Sequence, residues 1–166
     1  MITESSVRAL LSQWWIHYDE AELEPLLAVL HPDFRIISRS DSGRAVNESA
    51  IASDVQGLDQ VRDWWGHHRM DGPFPIRHHL TNFLVISADR TSVTFAGNTV
   101  HSKVDEQRGA QPLVSARIAG EATMFEGALR LRRLETVLDK TASRTFVEAV
   151  GDAGPTLSND RLDTSR

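Results

Sequence analysis

The sequence contains no cysteine. That absence excludes disulfides, thiolate nucleophiles and cysteine-ligated zinc or iron–sulfur centres, and it fits a reducing, cytoplasmic setting. No run approaches the roughly 20 apolar residues of a membrane-spanning helix, so no membrane partner is expected. The opening MITESSVRALL has an acid and an arginine and no long apolar run, unlike a signal peptide. Positive charge is outnumbered: 18 Lys and Arg stand against 23 Asp and Glu, and the net charge of −5 argues weakly against nucleic acid as a partner. There is no Gly-rich phosphate loop, no Gly-x-Ser-x-Gly elbow and no basic patch interleaved with aromatics. Four of the seven histidines form adjacent pairs, His67-His68 and His78-His79, whose members point in different directions, and no His-x-x-x-His with a companion glutamate occurs. No metal and no other cofactor is expected.

What is present describes one soluble domain: 166 residues, 40% hydrophobic and 25% charged. The domain is expected over residues 1–150. Residues 151–166 are polar and without periodicity, a tail expected to be mobile.

Val7, Leu10, Leu11, Trp14, Trp15 and Tyr18 recur at helical spacing, with Thr3 as N-cap and Glu4 in the first turn, so a helix is expected to end near Tyr18-Asp19. Pro25 suits the first turn of a shorter helix with Leu23, Leu26, Leu27 and Leu30 as its stripe. A strand over Phe34–Ser38 follows, then a polar loop or hairpin excursion over Arg39–Asp54. A third helix runs from about Leu58 to His68, and Asp71-Gly72-Pro73-Phe74-Pro75 breaks it. The rest reads as strands: Arg77–Ser87, Thr91–Val104, Leu113–Phe125 and Ala128–Leu138. Helices first and antiparallel strands after predict an α+β fold, a strongly curved sheet with helices on its concave face and a pocket between them.

The polar candidates sit at element ends. Asp19, if buried beside Trp15 and Tyr18, can orient an imidazole and make it a general base; otherwise it is a cap. Strand alternation puts His78 with Leu80, Asn82, Leu84 and Ile86, and His79 with Thr81, Phe83 and Val85. His101 lies in the next strand. Arg130, Arg132 and Arg133 lie on the last strand, either reaching inward to an anionic group or solvated outside. Trp64 and Trp65 read as core or pocket wall.

Several stretches together resemble a known family. They are the helix ending in Tyr18-Asp19, the Leu-x-x-Leu-Leu-x-x-Leu-x-x-Asp-Phe run, Gly57–Trp65, Arg77-His78-x-x-Thr81-Asn82, and Val137-Leu138-Asp139. The chain, over about residues 4 to 140, resembles the SnoaL-like proteins of the nuclear transport factor 2 superfamily, whose relatives include scytalone dehydratase and ketosteroid isomerase. The resemblance implies a cone-shaped curved sheet around three helices with a deep apolar pocket.

In the family's dehydratases and dehydrochlorinase, an Asp–His dyad works in that pocket. The matching residues here are Asp19 and His78, the histidine four residues before Asn82. The resemblance further implies Tyr18 and His101 as polar pocket groups, a pocket serine near Ser115 and an arginine near Arg132 or Arg133. Trp15, Trp64, Trp65 and Phe95 are expected as apolar walls. The implied function is that of a small cofactor-free enzyme binding a compact hydrophobic, cyclic molecule. His78, polarised by Asp19, would take a proton from carbon, and Tyr18 or His101 would steady the oxyanion or leaving group. Dehydration or isomerisation would result.

A second resemblance points elsewhere. Tyr18-Asp19-Glu20, Arg77-His78-x-x-Thr81-Asn82 and Leu138-Asp139-Lys140-Thr141 are also similar to the small subunits of aromatic-ring-hydroxylating dioxygenases, which are largely structural. A non-catalytic ligand-binding module or assembly partner is therefore the alternative. A homodimer or higher homo-oligomer is expected, because Phe83 and Val85 on the outward face of their strand would need cover.

Overall fold

The computed structural model describes residues 2–143. The expected tail over 151–166, and the end of the expected domain, lie outside the described residues.

Helix α1 spans Glu4–Asp19 and buries Val7, Leu10, Leu11, Trp14, Trp15, Tyr18 and Asp19. Its start is fixed by a capping box, in which the Ser6 N–H donates to Thr3 Oγ1 at 3.2 Å and the Thr3 N–H to Ser6 Oγ at 3.0 Å. A cap of this type stabilises a helix by about 1 kcal/mol. The helix ends because Ala21 takes a positive φ of 58°. Helix α2 follows over Leu23–Ala28, with Pro25 in its first turn.

Strand β1 is longer than expected, Leu30–Ser40, with an irregularity between Leu30 and Arg35 at the His31-Pro32-Asp33 stretch. The polar run after it holds a single helical turn, α3 (Glu48–Ile51), and a short strand, β2 (Ser53–Gln56). Strand β2 pairs antiparallel with β1, and Arg35 and Asp54 clasp across them through two 2.7 Å bonds. Helix α4 spans Leu58–His68. Strands β3 (Ile76–Ala88), β4 (Ser92–Asp105), β5 (Gly109–Phe125) and β6 (Ala128–Leu138) form the meander.

The fold is α+β. One six-stranded mixed sheet has the order β2-β1-β6-β5-β4-β3, antiparallel except for the β1–β6 pair. Helices α1, α2 and α4 cover one face, and their apolar stripes join Phe34, Phe95, Ile118, Leu131 and Leu134 in one core. Ile36 and Ser38 of β1 line the same cavity as His78 of β3, although three strands separate these two. The sheet must curl to bring them together.

Two glycines permit that shape. A Cβ on Gly120 would lie 2.5 Å from the Phe95 ring and 2.4 Å from the Arg133 carbonyl oxygen, so the ring packs where a side chain would stand. A Cβ on Gly97 would lie 2.7 Å from the carbonyl oxygen of Asn82. Gly97 thus accommodates an irregularity between Leu80 and Phe83, where Thr81 and Asn82 fall out of register. This corrects the expected alternation. Past the irregularity Phe83 and Val85 pack against the core, Phe83 with its ring 5.7 Å from that of Phe95, and Leu84 faces outward.

Candidate active site

The end of α1 supplies two polar side chains in succession, Tyr18 and Asp19, and both are buried. A buried carboxylate must be hydrogen-bonded to offset its lost hydration. Asp19 is satisfied from one residue of β3: Oδ2 accepts the His78 backbone N–H at 2.8 Å, and Oδ1 meets His78 Nδ1 at 2.5 Å. Side-chain exposure is 7% for Asp19 and 6% for His78, so this pair is shielded from bulk water. With Nδ1 engaged, Nε2 is the ring nitrogen left for a substrate. The His78 ring lies flat on Trp15, 4.3 Å between centroids at 4°, which fixes the plane of the imidazole.

The cavity around this pair has a volume of about 570 Å³. Trp14, Trp15, Tyr18, Ile36, Trp64 and His78 are among its walls. Exposed residues at its rim come from the α3 region (Asn47, Ser49, Ala50), from the segment after α4 (Asp71, Pro73), and from Leu113 and Lys140. The indole N–H groups of Trp14, Trp15 and Trp64 are sealed and have no acceptor among the described residues, so the polarity of the cavity rests on other side chains.

His101 is one of them. It pairs with His78 across the β3–β4 register, the two rings 4.0 Å apart. Its Nε2 is 2.9 Å from the Thr99 hydroxyl. Burial first, then the neighbouring His78, lowers its pKa to about 3. His101 is therefore neutral near pH 7 and can offer an N–H but not an imidazolium proton. Tyr18 is shifted the other way: burial raises its pKa well above that of a free phenol, so it stays protonated and acts as a hydrogen-bond donor. Its Oη is 2.9 Å from Nδ1 of His68.

The structure separates the other expected site residues. Trp15 and Trp64 line the cavity, whereas Trp65 packs behind, edge-on to Tyr18 at 5.5 Å. Phe95 is fully buried against Phe83 and Gly120, away from the cavity lining. Ser115 is exposed and donates to Asp139 Oδ2 at 2.6 Å, because alternation in β5 turns its neighbours Val114 and Ala116 inward instead. Arg133 is likewise outside, 3.1 Å from Glu135, and Arg132 is exposed near Glu121. His79 is exposed and meets Ser102.

The arginine that does matter was missed. Arg69, just after α4, is 97% buried, and its Nε and Nη2 donate to the carbonyl oxygens of Tyr18 and Asp19 at 2.7 and 2.8 Å. It ties the end of α1 to the end of α4. A third, longer bond runs from Nη1 to the Pro73 carbonyl at 3.4 Å. No sequence signal marks a side chain whose two shortest bonds go to main-chain oxygens about 50 residues away. The sequence marks His68 only as the end of its helix, and its partnership with Tyr18 equally depends on the tertiary crossing of α1 and α4. Among the described residues no group of three His, Asp or Glu side chains is arranged to hold a metal ion.

A profile of the SnoaL-like domain matches residues 2–135. The chain belongs to the SnoaL-like domain family. No curated protein matches the sequence. Among solved structures, this SnoaL-like domain is similar to the β subunit of a candidate aromatic-ring-hydroxylating dioxygenase from Novosphingobium aromaticivorans, with TM-score 0.67 and 13% identity over 87% of this chain and 94% of that one. It is similar to the type 2 hexachlorocyclohexane dehydrochlorinase LinA, with TM-score 0.65 and 13% identity over 86% and 90%. A candidate scytalone dehydratase from the same Novosphingobium matches with TM-score 0.64 and 13% identity over 85% and 87%. At such identities the likeness carries the fold alone, and not the activity. The neighbours include enzymes of elimination and a dioxygenase subunit alike. Among the described residues no helix is long and apolar enough to cross a membrane.

Proposed function

We propose that this SnoaL-like domain is a cofactor-free lyase or isomerase acting on a compact, hydrophobic, cyclic molecule. His78 is the general base. Asp19 holds its Nδ1–H and steadies the imidazolium that forms when Nε2 takes a proton from a carbon next to an activating group. Tyr18 and His101, both neutral, offer hydrogen bonds to the oxygen on which negative charge develops. Loss of a leaving group completes a dehydration or elimination; return of the proton elsewhere completes an isomerisation.

The observation that carries this reading is the two-point grip of Asp19 on His78 inside a walled cavity. A histidine held only for packing does not require a buried carboxylate on its ring. The aromatic walls favour a flat apolar substrate. The test is turnover of a panel of hydroxylated and keto ring compounds by wild type, His78→Ala and Asp19→Asn. Loss of turnover in both, with unchanged circular dichroism, supports the dyad; full activity in either variant defeats it.

A second reading, a structural partner of a larger catalytic subunit, is favoured by the likeness to the dioxygenase β subunit. Co-purification with an iron–sulfur protein would decide for that reading.

A further inference from the structure

Tyr18 and Asp19 are consecutive, yet each meets a different histidine. Asp19 holds His78 on β3; Tyr18 meets His68 in the last turn of α4, Oη to Nδ1 at 2.9 Å. The His68 ring is stacked on Trp64, 4.6 Å between centroids at 23°. Tyr18, Trp64 and His68 all line the cavity. The Tyr18 ring stands edge-on to His78, with centroids 5.2 Å apart at 88°, so the second pair borders the first. Arg69 fixes the tyrosine from behind, its guanidinium carbon 5.6 Å from the ring centroid and its Nε on the Tyr18 carbonyl.

A phenol has one proton to donate. If His68 carries its proton on Nε2, then Nδ1 accepts the Tyr18 proton and none is left for a ligand. If His68 carries it on Nδ1, that N–H donates to Tyr18 Oη, and the phenol proton is free to point into the cavity. Burial, with smaller effects from His78 and Arg69, lowers the His68 pKa to about 4, so near pH 7 the ring has one N–H and must take one arrangement or the other.

We propose that His68 is a positioning residue: in its Nδ1–H form it turns the Tyr18 hydroxyl toward the cavity and makes an oxygen-binding subsite there. The subsite takes the carbonyl or hydroxyl oxygen of a small cyclic ligand. It selects ring ketones and ring alcohols over hydrocarbons of the same shape, because only an oxygen repays the reorientation of the pair. This rests on the cavity being the substrate site, as proposed above, but not on the dyad being a base.

The experiment uses two neutral probes of nearly equal shape, 1-tetralone and tetralin, with binding followed by quenching of tryptophan fluorescence. One neutral hydrogen bond in a shielded site predicts that wild type binds tetralone about tenfold more tightly than tetralin. The preference should fall to within about twofold in Tyr18→Phe and in His68→Phe. His68→Asn, whose amide nitrogen falls close to the position of Nδ1, should restore most of it. His78→Ala should keep it. In wild type with tetralone bound, the nitrogen NMR shift of His68 Nδ1 should be that of a protonated nitrogen, a readout that needs no variant.

An unchanged preference in folded His68→Phe, or an unprotonated Nδ1 with tetralone bound, overturns the role of His68. A preference lost in His78→Ala and kept in Tyr18→Phe moves the oxygen to the dyad, which overturns the subsite and leaves the general-base reading standing. No preference in wild type, or no binding of either probe, overturns the subsite. Survival of turnover in His78→Ala would instead defeat the general base and leave the subsite untouched.

Discussion

Asp19 contacts His78 at two points, one on the backbone and one on the ring. The carboxylate therefore positions the strand and sets the tautomer in one step. Asp19→Asn can still accept the backbone N–H, but it turns an amide N–H toward Nδ1. That forces the proton to Nε2, where the base must be free. Turnover should fall by about 10²–10⁴-fold with little change in melting temperature. Asp19→Ala should also cost about 1–3 kcal/mol of stability, since the His78 N–H loses its acceptor. Kinetics and thermal melts on the two variants separate these effects.

Arg69 predicts a stability loss without a partner carboxylate. Its guanidinium is buried and serves two carbonyl oxygens from a planar fork. A lysine places one point charge there and cannot reach both with the same geometry. Arg69→Lys should lower stability by about 2 kcal/mol, a fall of about 4–8 °C in melting temperature for a domain of this size. An unchanged melt would mean that the clasp between α1 and α4 is dispensable.

Acid should weaken the fold through two histidines. His68 and His101 have folded pKa values lowered to about 4 and about 3, against about 6.5 unfolded. Between those values the unfolded chain binds protons that the folded one refuses, so stability falls as pH drops from about 6.5 toward 4. The slope is at most about 1.4 kcal/mol per pH unit for each group. Urea melts at pH 7, 6 and 5 should show it, and His68→Phe should flatten the curve. The titratable groups beside His68 are Tyr18, His78 and Arg69; those acting on His101 are His78, His79 and Lys140.

Gly120 should not tolerate a side chain. A Cβ would strike the Phe95 ring and the Arg133 carbonyl, both closer than real Cβ contacts allow. Gly120→Ala should destabilise by about 1–3 kcal/mol through forced repacking, visible in a thermal melt. Phe95→Leu in the same background should recover part of the loss.

Self-association is expected through the outer sheet face, on different residues from those alternation suggested. Leu84 is 64% exposed, and Ile86 and Val100 are partly so. Light scattering should give a dimer, and Leu84→Glu should shift it toward monomer. A monomer at every concentration would rule the pairing out.

Helix α1 was legible to its cap because Thr3 and the Val7–Tyr18 stripe are local signals. The strands from Arg77 onward were legible for the same reason, although β5 begins at Gly109 and not at the expected Leu113. The Phe83 face was misread because an irregularity of register is set by the partner strand: Gly97, paired with Phe83, leaves room for the Asn82 carbonyl, and alternation within β3 cannot reveal that. Ser115 and Arg133 failed through register as well, since a shift of one residue exchanges the faces of a strand. The pairing of Asp19 with His78 was suggested by family likeness and not by spacing, since 58 intervening residues carry no periodic signal. His68 and Arg69 were hidden because their partners lie on another helix.

The succession of Tyr18 and Asp19 at one helix end has an evolutionary corollary. Both histidine pairs hang from adjacent residues of α1, while the rim is drawn from the α3 region, the segment after α4 and the ends of β5 and β6. Substitutions and insertions at the rim can therefore reshape what enters without disturbing the groups that react. The shape of the entrance and the pairing of the two histidines are thus set by separate parts of the chain.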